Sequence, residues 1–343
     1  MDKVAVVILN WNGSGMLRRF LPGVVRHSEA DGGVVWLADN GSADDSVEMV
    51  AREFPSVRII RLAENHGFAE GYNRALLQVE AEYVVLLNSD VEVTEHWLRP
   101  LLAYMEVHPE VAACQPKLLS YHHRHHFEYA GASGGFIDRY GYPFCRGRVM
   151  GVVEEDQGQY DMVVPVFWAS GAALFIRRQD YMDAGGLDSR FFAHMEEIDL
   201  CWRLRDRGRG LVCIPQSVVY HVGAATLKRE NSRKTFLNFR NNLLMLYKNL
   251  PQGELASVMR VRTLLDYVAA LNFLLRFQWA NAWAVLRARR DFRALKPLYA
   301  KIRTEVQQRV VQNNIPERMR FSLLWAFYVR GKKRFSELVS SDQ

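Results

Sequence analysis

The N-terminal part of the chain alternates short apolar runs with amphipathic stretches. The apolar runs are Val4–Leu9, Val34–Ala38, Val57–Arg61 and Tyr83–Leu87. The stretches between them, which predict helices, are Gly15–Arg26, Asp45–Phe54 and Ala69–Val79. Continuous apolar runs are typical of strands that are buried on both faces, and strands alternating with helices of this length indicate βαβ units. We therefore predict a mixed, mostly parallel sheet flanked by helices.

The rest of the chain divides into two parts. Residues 111–225 are irregular and glycine-rich, and from about residue 226 onward the pattern predicts helices to the end. Short strands are predicted at Val163–Phe167, Ala172–Ile176 and Gly210–Ile214, the last followed by Val218–His221. We expect an α/β domain over residues 1–225 and a helical region over residues 226–343.

Charge separates the two ends of the chain. Residues 251–343 contain 17 Lys/Arg against 7 Asp/Glu, whereas residues 1–250 carry a net charge of −4. A basic tail on a slightly acidic body suits an anionic partner. The chain has no zinc-finger spacing, RNA-binding aromatic signature or basic-zipper heptad, so we predict no nucleic-acid partner.

The helical region contains aromatic and basic residues close together. The aromatic and apolar members are Phe273, Leu274, Leu275, Phe277, Trp279 and Trp283, and the basic ones are Arg287, Arg289, Arg290 and Arg293. This composition favours an interfacial helix on anionic lipid, but it also fits an amphipathic helix docked on the α/β domain or in a dimer. The stretch Tyr267–Leu286 has Arg276 at its middle, which costs roughly 2.5–3.5 kcal/mol on insertion scales, so we predict no bilayer-spanning helix.

The spacing of the four cysteines indicates the redox environment of the protein. Cys114, Cys145, Cys201 and Cys213 show no C-x-x-C spacing and indicate reduced, mostly buried thiols. With the basic tail, this predicts a cytoplasmic protein that is peripheral at the inner face of the cytoplasmic membrane. The oligomeric state stays open.

Polar residues follow the ends of the predicted strands, where ligands of parallel sheets bind. Asn10 and Asn12 follow the first strand, the turn Asp39–Ser42 follows the second, and Asn88-Ser89-Asp90 follows the fourth. A carboxylate at Asp39 can accept hydrogen bonds from a base or ribose, although such turns also simply close strands. Asp90 is suited to a divalent ion that bridges two phosphates, or to an ordinary surface turn.

Two further segments carry candidate chemistry. Asn65 to Asn73 combines two glycines with two asparagines at a loop-to-helix junction, and Ser170-Gly171 opens a strand with small residues; both let a ligand approach the backbone closely. Glu196, Glu197 and Asp199 place three carboxylates within four residues. Such a cluster can supply a general base or can simply favour a helix N-terminus.

The order of these segments resembles the family 2 glycosyltransferases, and within them the rhamnosyltransferase and galactofuranosyltransferase-like branch. The resemblance covers roughly residues 3–250. Its parts, in order, are Asp39–Ser42, Asn65–Asn73, Asn88–Asp90, Ser170-Gly171, Glu196–Leu200 and His221, with Arg240-Asn241 after them.

The resemblance implies a GT-A fold, a Mg²⁺ or Mn²⁺ cofactor and inversion at the anomeric carbon by a single displacement. Asp90 and His221 would bind the metal. Glu197 matches the catalytic carboxylate of a segment that is usually Glu-Asp-x-Asp, so the choice of base between Glu196 and Glu197 stays open, with Asp199 in the same acidic group. The implied donor-binding residues are Asn10, Asn12, Asp39, Asn65, Gly67, Phe68, Asn73, Asn88, Ser89, Ser170 and Gly171.

The predicted function is transfer of a sugar, L-rhamnose as first choice, from a dTDP- or UDP-sugar to a hydroxyl of a glycan or lipid-linked saccharide in cell-surface polysaccharide synthesis. One alternative is a non-catalytic sugar-nucleotide-binding or scaffold protein, for which Glu197 in place of the usual aspartate is the hint. A nicotinamide-dependent oxidoreductase is disfavoured, because Asn12-Gly13-Ser14-Gly15 lacks the third glycine of G-x-G-x-x-G.

Overall fold

The computed structural model describes residues 1–223 and 232–339. In chain order the strands are β1 (Asp2–Asn10), β2 (Gly33–Asp39), β3 (Arg58–Arg61), β4 (Ala81–Leu87), β5 (Val91–Val93), β6 (Val111–Ser120), β7 (Gly135–Ile137), β8 (Pro143–Cys145), β9 (Arg148–Val149), β10 (Val152–Val153), β11 (Val164–Pro165), β12 (Ala173–Arg177) and β13 (Gly210–His221). The helices are α1 (Ser14–Ala30), α2 (Ser46–Glu53), α3 (Gly67–Leu76), α4 (Leu98–Val107), α5 (Arg178–Asp183), α6 (Glu196–Asp206), α7 (Ser232–Asn249), α8 (Gln252–Leu275), α9 (Trp279–Gln307), α10 (Leu323–Tyr328) and α11 (Phe335–Val339).

The main sheet has the order β11-β13-β6-β12-β4-β1-β2-β3, with β5 paired to β13. Strand β1 runs parallel to β2 and β4, and β2 runs parallel to β3. Strand β12 is antiparallel to both β4 and β6, whereas β13 is parallel to β6. Strands β7 to β10 form a second, small antiparallel sheet. The predicted mixed, mostly parallel sheet flanked by helices is confirmed.

Strand β1 shows why continuous apolar runs form the middle of this sheet. Side chains alternate between the two faces of a strand. Val4, Val6 and Ile8 join the core beneath α1, while Ala5 and Val7 join the core beneath α3. Both faces of the strand are therefore buried, and apolar side chains are needed at every position.

The structure corrects the sequence-based prediction in the middle of the chain. The apolar pattern does not predict strand β6, because Gln115, Pro116 and Lys117 interrupt it, yet all three are buried in a central strand. The Gln115 amide explains its own burial: its oxygen accepts a hydrogen bond from the Ser170 N–H at 2.9 Å. The predicted strand at Gly210–Ile214 continues to His221 as one strand, with a register shift between Ile214 and Val218.

The predicted helical region is confirmed for α7 to α9, and the short helices α10 and α11 follow near the end, but the prediction is wrong for residues 308–322. Residues 308–322 contain no helix, since Asn313, Asn314 and Pro316 interrupt the pattern. This segment returns to the small sheet, where the Met319 N–H donates to the Ile137 carbonyl at 2.8 Å. The predicted boundary at 225/226 lies outside the described residues.

Within residues 1–223 and 232–339, no helix has the length and apolar character needed to cross a membrane. All four cysteines are free and buried.

Candidate active site

The carboxyl ends of β1 and β2 bring the first two predicted segments together. Asn10 and Asp39 are register partners, and the Asn10 amide donates to Asp39 Oδ1 at 3.2 Å. The same amide donates to Ser46 Oγ at 2.9 Å, and Asp39 Oδ2 accepts from the Ser42 N–H at 3.1 Å. Asn10 Oδ1 is buried without a hydrogen-bond partner among the described residues. This edge therefore presents a buried acidic side chain held in one orientation, with a spare acceptor beside it.

Asn12 and Ser89 lie around the same edge. Asn12 has a left-handed backbone (φ 50°), and its side-chain oxygen accepts from the Ala43 N–H at 2.7 Å. Asn12 thus joins the loop after β1 to the loop after β2. Ser89 borders the loop after β1, because a methyl group placed on Gly13 would lie 3.9 Å from Ser89 Oγ.

The loop before α3 is held by the Asn40 side chain. The Asn40 amide donates to Asn65 Oδ1 at 3.1 Å and to the Gly67 carbonyl at 3.0 Å. Gly67 has φ +79°, and a Cβ atom there would lie 2.5 Å from the Phe192 ring. The Phe68 N–H donates to the Phe192 carbonyl at 2.8 Å. The start of α3 therefore packs on the segment that precedes the acidic cluster, and the N–H groups of Gly67 and Phe68 both have hydrogen-bond partners within the protein.

Asn73 is not brought to the strand ends. Its amide nitrogen donates to the Leu187 carbonyl at 2.8 Å, and its oxygen accepts from the Leu187 N–H and the Tyr181 hydroxyl at 2.9 and 2.6 Å. These contacts tie α3 to residues 181–187. Its predicted contact with the donor stays a prediction that no contact in the described residues supports.

Asp90 and His221 form the second polar centre of the site. Strands β5 and β13 pair antiparallel, which places His221 opposite Val91, and His221 Nε2 lies 3.2 Å from Asp90 Oδ1. The Asn88 amide lies 3.4 Å from the same ring nitrogen. The side chains of Asp90 and His221 are buried, so the pair is shielded from bulk water.

Glu128 completes this centre, and it was not predicted from the sequence. Its Oε1 lies 3.4 Å from His221 Nδ1, while its Oε2 accepts from the Ala130 N–H at 2.6 Å. Burial lowers the pKa of His221, but Glu128 and Asp90 outweigh it and raise the pKa to about 10. Glu128 lies in an irregular loop far from His221 in sequence, so only the tertiary structure reveals the pairing.

The acidic cluster at the start of α6 separates into two environments. Glu196 and Glu197 each have an Oε2 atom that is buried without a hydrogen-bond partner in the described part of the chain. Burial and the neighbouring Glu197 raise the pKa of Glu196 well above its usual range, and burial raises the pKa of Glu197 to about 6. Glu196 is buried and Glu197 half-buried. Both carboxyls thus hold a proton more tightly than an exposed glutamate, and Glu197 is the more accessible of the two.

Asp199, the third acid, faces inward. It is fully buried and accepts hydrogen bonds from Arg203 Nε at 3.0 Å, Lys248 Nζ at 2.7 Å and Asn249 Nδ2 at 2.8 Å. These contacts join α6 to α7. The structure does not bring Asp199 together with Glu196 and Glu197 at an open surface, and its predicted catalytic role stays a prediction that these contacts do not support.

Ser170 and Gly171 link the carboxylates to the acid–imidazole pair. A methyl group placed on Gly171 would lie 3.6 Å from Glu197 Cβ and 3.6 Å from Phe68 Cζ. The next residue, Ala172, accepts from the Asn88 N–H at 3.0 Å. The Ser170 hydroxyl donates to the Ala130 carbonyl at 2.7 Å. Gly171 therefore borders Glu197 on one side and adjoins the end of β4 on the other.

The segment before Glu196 has a strained backbone, and the Asn241 side chain contacts three of its carbonyl groups. Phe192, His194 and Met195 have φ values of 64°, 72° and 72°, which cost of order 1–3 kcal/mol each in residues other than glycine. The Asn241 amide of α7 lies 2.9 Å from the Phe191 carbonyl, 2.9 Å from the Ala193 carbonyl and 2.8 Å from the His194 carbonyl. Asn241 thereby fixes the backbone that presents the glutamates.

Solved structures share this architecture. Residues 1–349 of TarS from S. aureus align over 90% of this chain and 88% of that one, with a TM-score of 0.53 at 14% identity. GalNAc-T7, solved with UDP, GalNAc and Mn²⁺, aligns over 64% of this chain and 43% of that one, with a TM-score of 0.53 at 16% identity. The protein thus has the GT-A fold of glycosyltransferases.

Two family profiles match the amino-acid sequence. The profile of Glycosyl transferase family 2 matches residues 5–149, and that of Glycosyl transferase family group 2 matches residues 83–286. The chain belongs to the family 2 glycosyltransferases, which transfer a sugar from a nucleotide donor.

Two curated relatives indicate the range of the family. An N-acetylglucosaminyl-diphospho-decaprenol L-rhamnosyltransferase from Mycobacterium tuberculosis is 25% identical over 71% of this chain and 84% of that protein. The low-salt glycan biosynthesis hexosyltransferase Agl10 from Haloferax volcanii is 21% identical over 71% and 75%.

Proposed function

We propose that the protein is an inverting hexosyltransferase that moves L-rhamnose from a dTDP- or UDP-activated donor to a hydroxyl of a lipid-linked saccharide or other glycan in cell-surface polysaccharide synthesis. The observation that carries the proposal is Glu197: a half-buried carboxylate with an unpartnered oxygen among the described residues, bordered by Gly171. Within this proposal, residues 1–225 are the catalytic domain and residues 226–343 are a basic helical region that supports it.

The proposed reaction is a single displacement. Glu197 accepts the proton of the acceptor hydroxyl, and the hydroxyl oxygen forms a bond to the anomeric carbon of the donor sugar. The bond from that carbon to the diphosphate oxygen breaks, and the nucleoside diphosphate leaves with the electron pair. Because the oxygen attacks from the face opposite the leaving group, the anomeric configuration inverts. Asn241 acts as a positioning residue, since it holds the backbone before Glu196.

Asp90 and His221 fit a divalent ion. A carboxylate and an imidazole whose polar atoms are 3.2 Å apart suit Mn²⁺ or Mg²⁺ once the ion displaces the proton from Nε2 of His221, and these ions commonly take few protein ligands beside phosphates and water. No group of three or more His, Cys, Asp or Glu residues in ranges 1–223 and 232–339 forms a complete metal site, so donor phosphates and water would supply the other ligands. Glu128 beside His221 Nδ1 would orient the imidazole. Such an ion would neutralise charge on the departing diphosphate.

The donor half of the proposal rests on the strand ends. Asp39, which the Asn10 amide contacts, would accept hydrogen bonds from the nucleoside, and Ser89, the residue before Asp90, borders the loop after β1. L-rhamnose and a lipid-linked acceptor are proposed because the mycobacterial relative is an L-rhamnosyltransferase whose name specifies a diphospho-decaprenol acceptor.

The proposal is tested by incubating the protein and Mn²⁺ with dTDP-L-rhamnose, UDP-galactose or UDP-glucose and a prenyl-diphosphate-linked N-acetylglucosamine. Mass spectrometry of the lipid product should show addition of one deoxyhexose from dTDP-L-rhamnose, and the anomeric proton should report inversion. Transfer of a different hexose would replace the sugar but keep the reaction class. Binding of donor without turnover with any acceptor would favour the sugar-nucleotide-binding or scaffold alternative.

A further inference from the structure

Helix α8 has an unusual distribution of side chains. Its buried positions are Val258, Arg262, Asp266 and Ala270, four residues apart along one line. Two of these are charged: Arg262 donates to Asp266 Oδ1 at 3.2 Å. Asp266 Oδ2 also accepts from Arg289 of α9 at 2.5 Å. The charged side chains of Arg262 and Asp266 therefore face the protein and pair there.

The opposite side of α8 and the turn into α9 are apolar and exposed. The exposed apolar residues are Leu264, Tyr267, Val268, Leu271, Leu274, Leu275, Phe277, Trp279, Trp283 and Leu286, and we name this set the hairpin face. Phe277, Trp279 and Trp283 are 79%, 63% and 65% exposed. A helix in contact with water presents the reverse pattern, with its charged side chains outward. An apolar surface of this extent marks an interaction site.

Charge identifies the partner. Within residues 255–290, the exposed charged side chains are Arg260, Arg276, Arg287 and Arg290, and the single acid, Asp266, is buried. A second copy docking on the same face would bring these arginines together, and the acids that flank the range, Glu254 and Asp291, already pair with Arg318 and Arg240. Lipid phosphates supply the missing negative charge, and tryptophan is enriched where apolar and polar layers of a membrane meet.

We propose that the hairpin face docks on an anionic phospholipid membrane. The aromatic side chains at the turn insert among the lipid headgroups, and the four arginines contact lipid phosphates, so that α8 lies along the surface. The docking needs no bilayer-spanning helix, in agreement with the absence of one from the described ranges. Docking on a membrane does not depend on whether the protein transfers a sugar.

Docking would bring the acidic cluster close to the membrane. Asn281, between Trp279 and Trp283, has its side-chain oxygen 3.0 Å from Thr235 Oγ1 at the start of α7. Thr235 lies about 9 Å along the helix from Asn241, at a rise of about 1.5 Å per residue. Asn241 holds the segment before Glu196. This consequence rests on the proposed function, in which an acceptor carried by a lipid reaches Glu197 from the bilayer side.

The test is flotation of the full-length protein with vesicles of phosphatidylcholine, with or without phosphatidylglycerol. We expect the wild-type protein to float with the anionic vesicles and to be released by salt. A Phe277→Ser/Trp279→Ser/Trp283→Ser variant should bind at least tenfold more weakly, since each aromatic side chain contributes buried apolar area. Met162→Ser, which removes a side chain 77% exposed elsewhere, is the matched control and should float as the wild type does.

A second variant separates charge from apolar contact. Arg276→Glu/Arg290→Glu should lose binding to anionic vesicles by roughly tenfold or more, while its thermal unfolding stays unchanged because both side chains are exposed. Equal flotation of the wild-type and triple-serine proteins would overturn the proposal. The proposal would also be overturned if the wild-type protein did not bind vesicles and instead formed a dimer, measured by light scattering, that the triple-serine substitution dissociates. Neither result would bear on sugar transfer, which is assayed separately.

Discussion

Replacement of Glu197 by glutamine removes the proposed base while keeping its size. A general base contributes typically 10²–10⁴-fold to the rate, so kcat should fall by about that factor in Glu197→Gln. Donor affinity should change little, because the proposed partner of Glu197 is the acceptor hydroxyl and glutamine keeps the size of the side chain beside Gly171.

The dependence of kcat/KM on pH gives a second, independent test of Glu197 as the base. Burial raises the pKa of Glu197 to about 6, so the carboxylate, which is the active form of a base, is lost as the pH falls through that value. Roughly nine-tenths of it is ionised at pH 7 and roughly one-tenth at pH 5, and wild-type kcat/KM should fall about tenfold per pH unit well below 6. An exposed glutamate would keep the rate flat down to about pH 4.3.

The assay is steady-state sugar transfer from the active donor between pH 4.5 and 8, with the donor Kd measured separately. Glu196→Gln is the matched control: it removes the neighbouring carboxyl, whose pKa is raised well above its usual range, and should leave kcat at pH 7 within about tenfold of the wild type. Full activity in Glu197→Gln, or a large loss confined to Glu196→Gln, would refute the assignment of the base.

Three further substitutions test the remaining parts of the site. Asp90→Asn should weaken metal-dependent donor binding, and a titration of Mn²⁺ that matches the wild type would remove Asp90 from the ligand set. Asn241→Ala should lower the free energy of unfolding by about 1–3 kcal/mol and reduce kcat more than donor affinity. Asn238→Ala on the same helix is the control and should change neither the stability nor kcat. Equal effects of the two substitutions would contradict the positioning role of Asn241. Gly67→Ala should destabilise the protein by at least about 1–2 kcal/mol in urea unfolding, because Gly67 has φ +79° and a Cβ there would lie 2.5 Å from the Phe192 ring. Gly15→Ala is the control: its Cβ would meet nothing within 4 Å, so this substitution should be neutral or stabilising.

The sequence predicted the fold wherever burial alone decided the pattern. Strands β1 and β4 are apolar at nearly every position, because they are covered on both faces. Strand β6 is equally central, but Gln115 and Lys117 find polar partners from elsewhere in the chain, a compensation that no local pattern can reveal.

The same distinction applies to the candidate site. Asn10, Asp39 and Asp90 were predicted to converge because parallel strands end at one edge, and the structure brings Asn10 and Asp39 into contact. Glu128 and Asn241 were not assigned roles, since their partners lie 93 and 47 or more residues away in the chain. Sequence spacing shows which residues share an element but not which loops meet.

The account's central claim, a nucleotide-sugar site at this sheet edge, is tested most directly by thermal unfolding of the full-length protein with dTDP, UDP, GDP or CDP, each with and without Mn²⁺. A nucleotide at a hundred times its Kd stabilises the folded state by about 2.7 kcal/mol, enough for a clear rise in Tm. We predict stabilisation by dTDP or UDP that requires the metal and is lost in Asp90→Asn. No shift with any nucleotide, or a metal-independent shift that survives Asp90→Asn, would contradict the account.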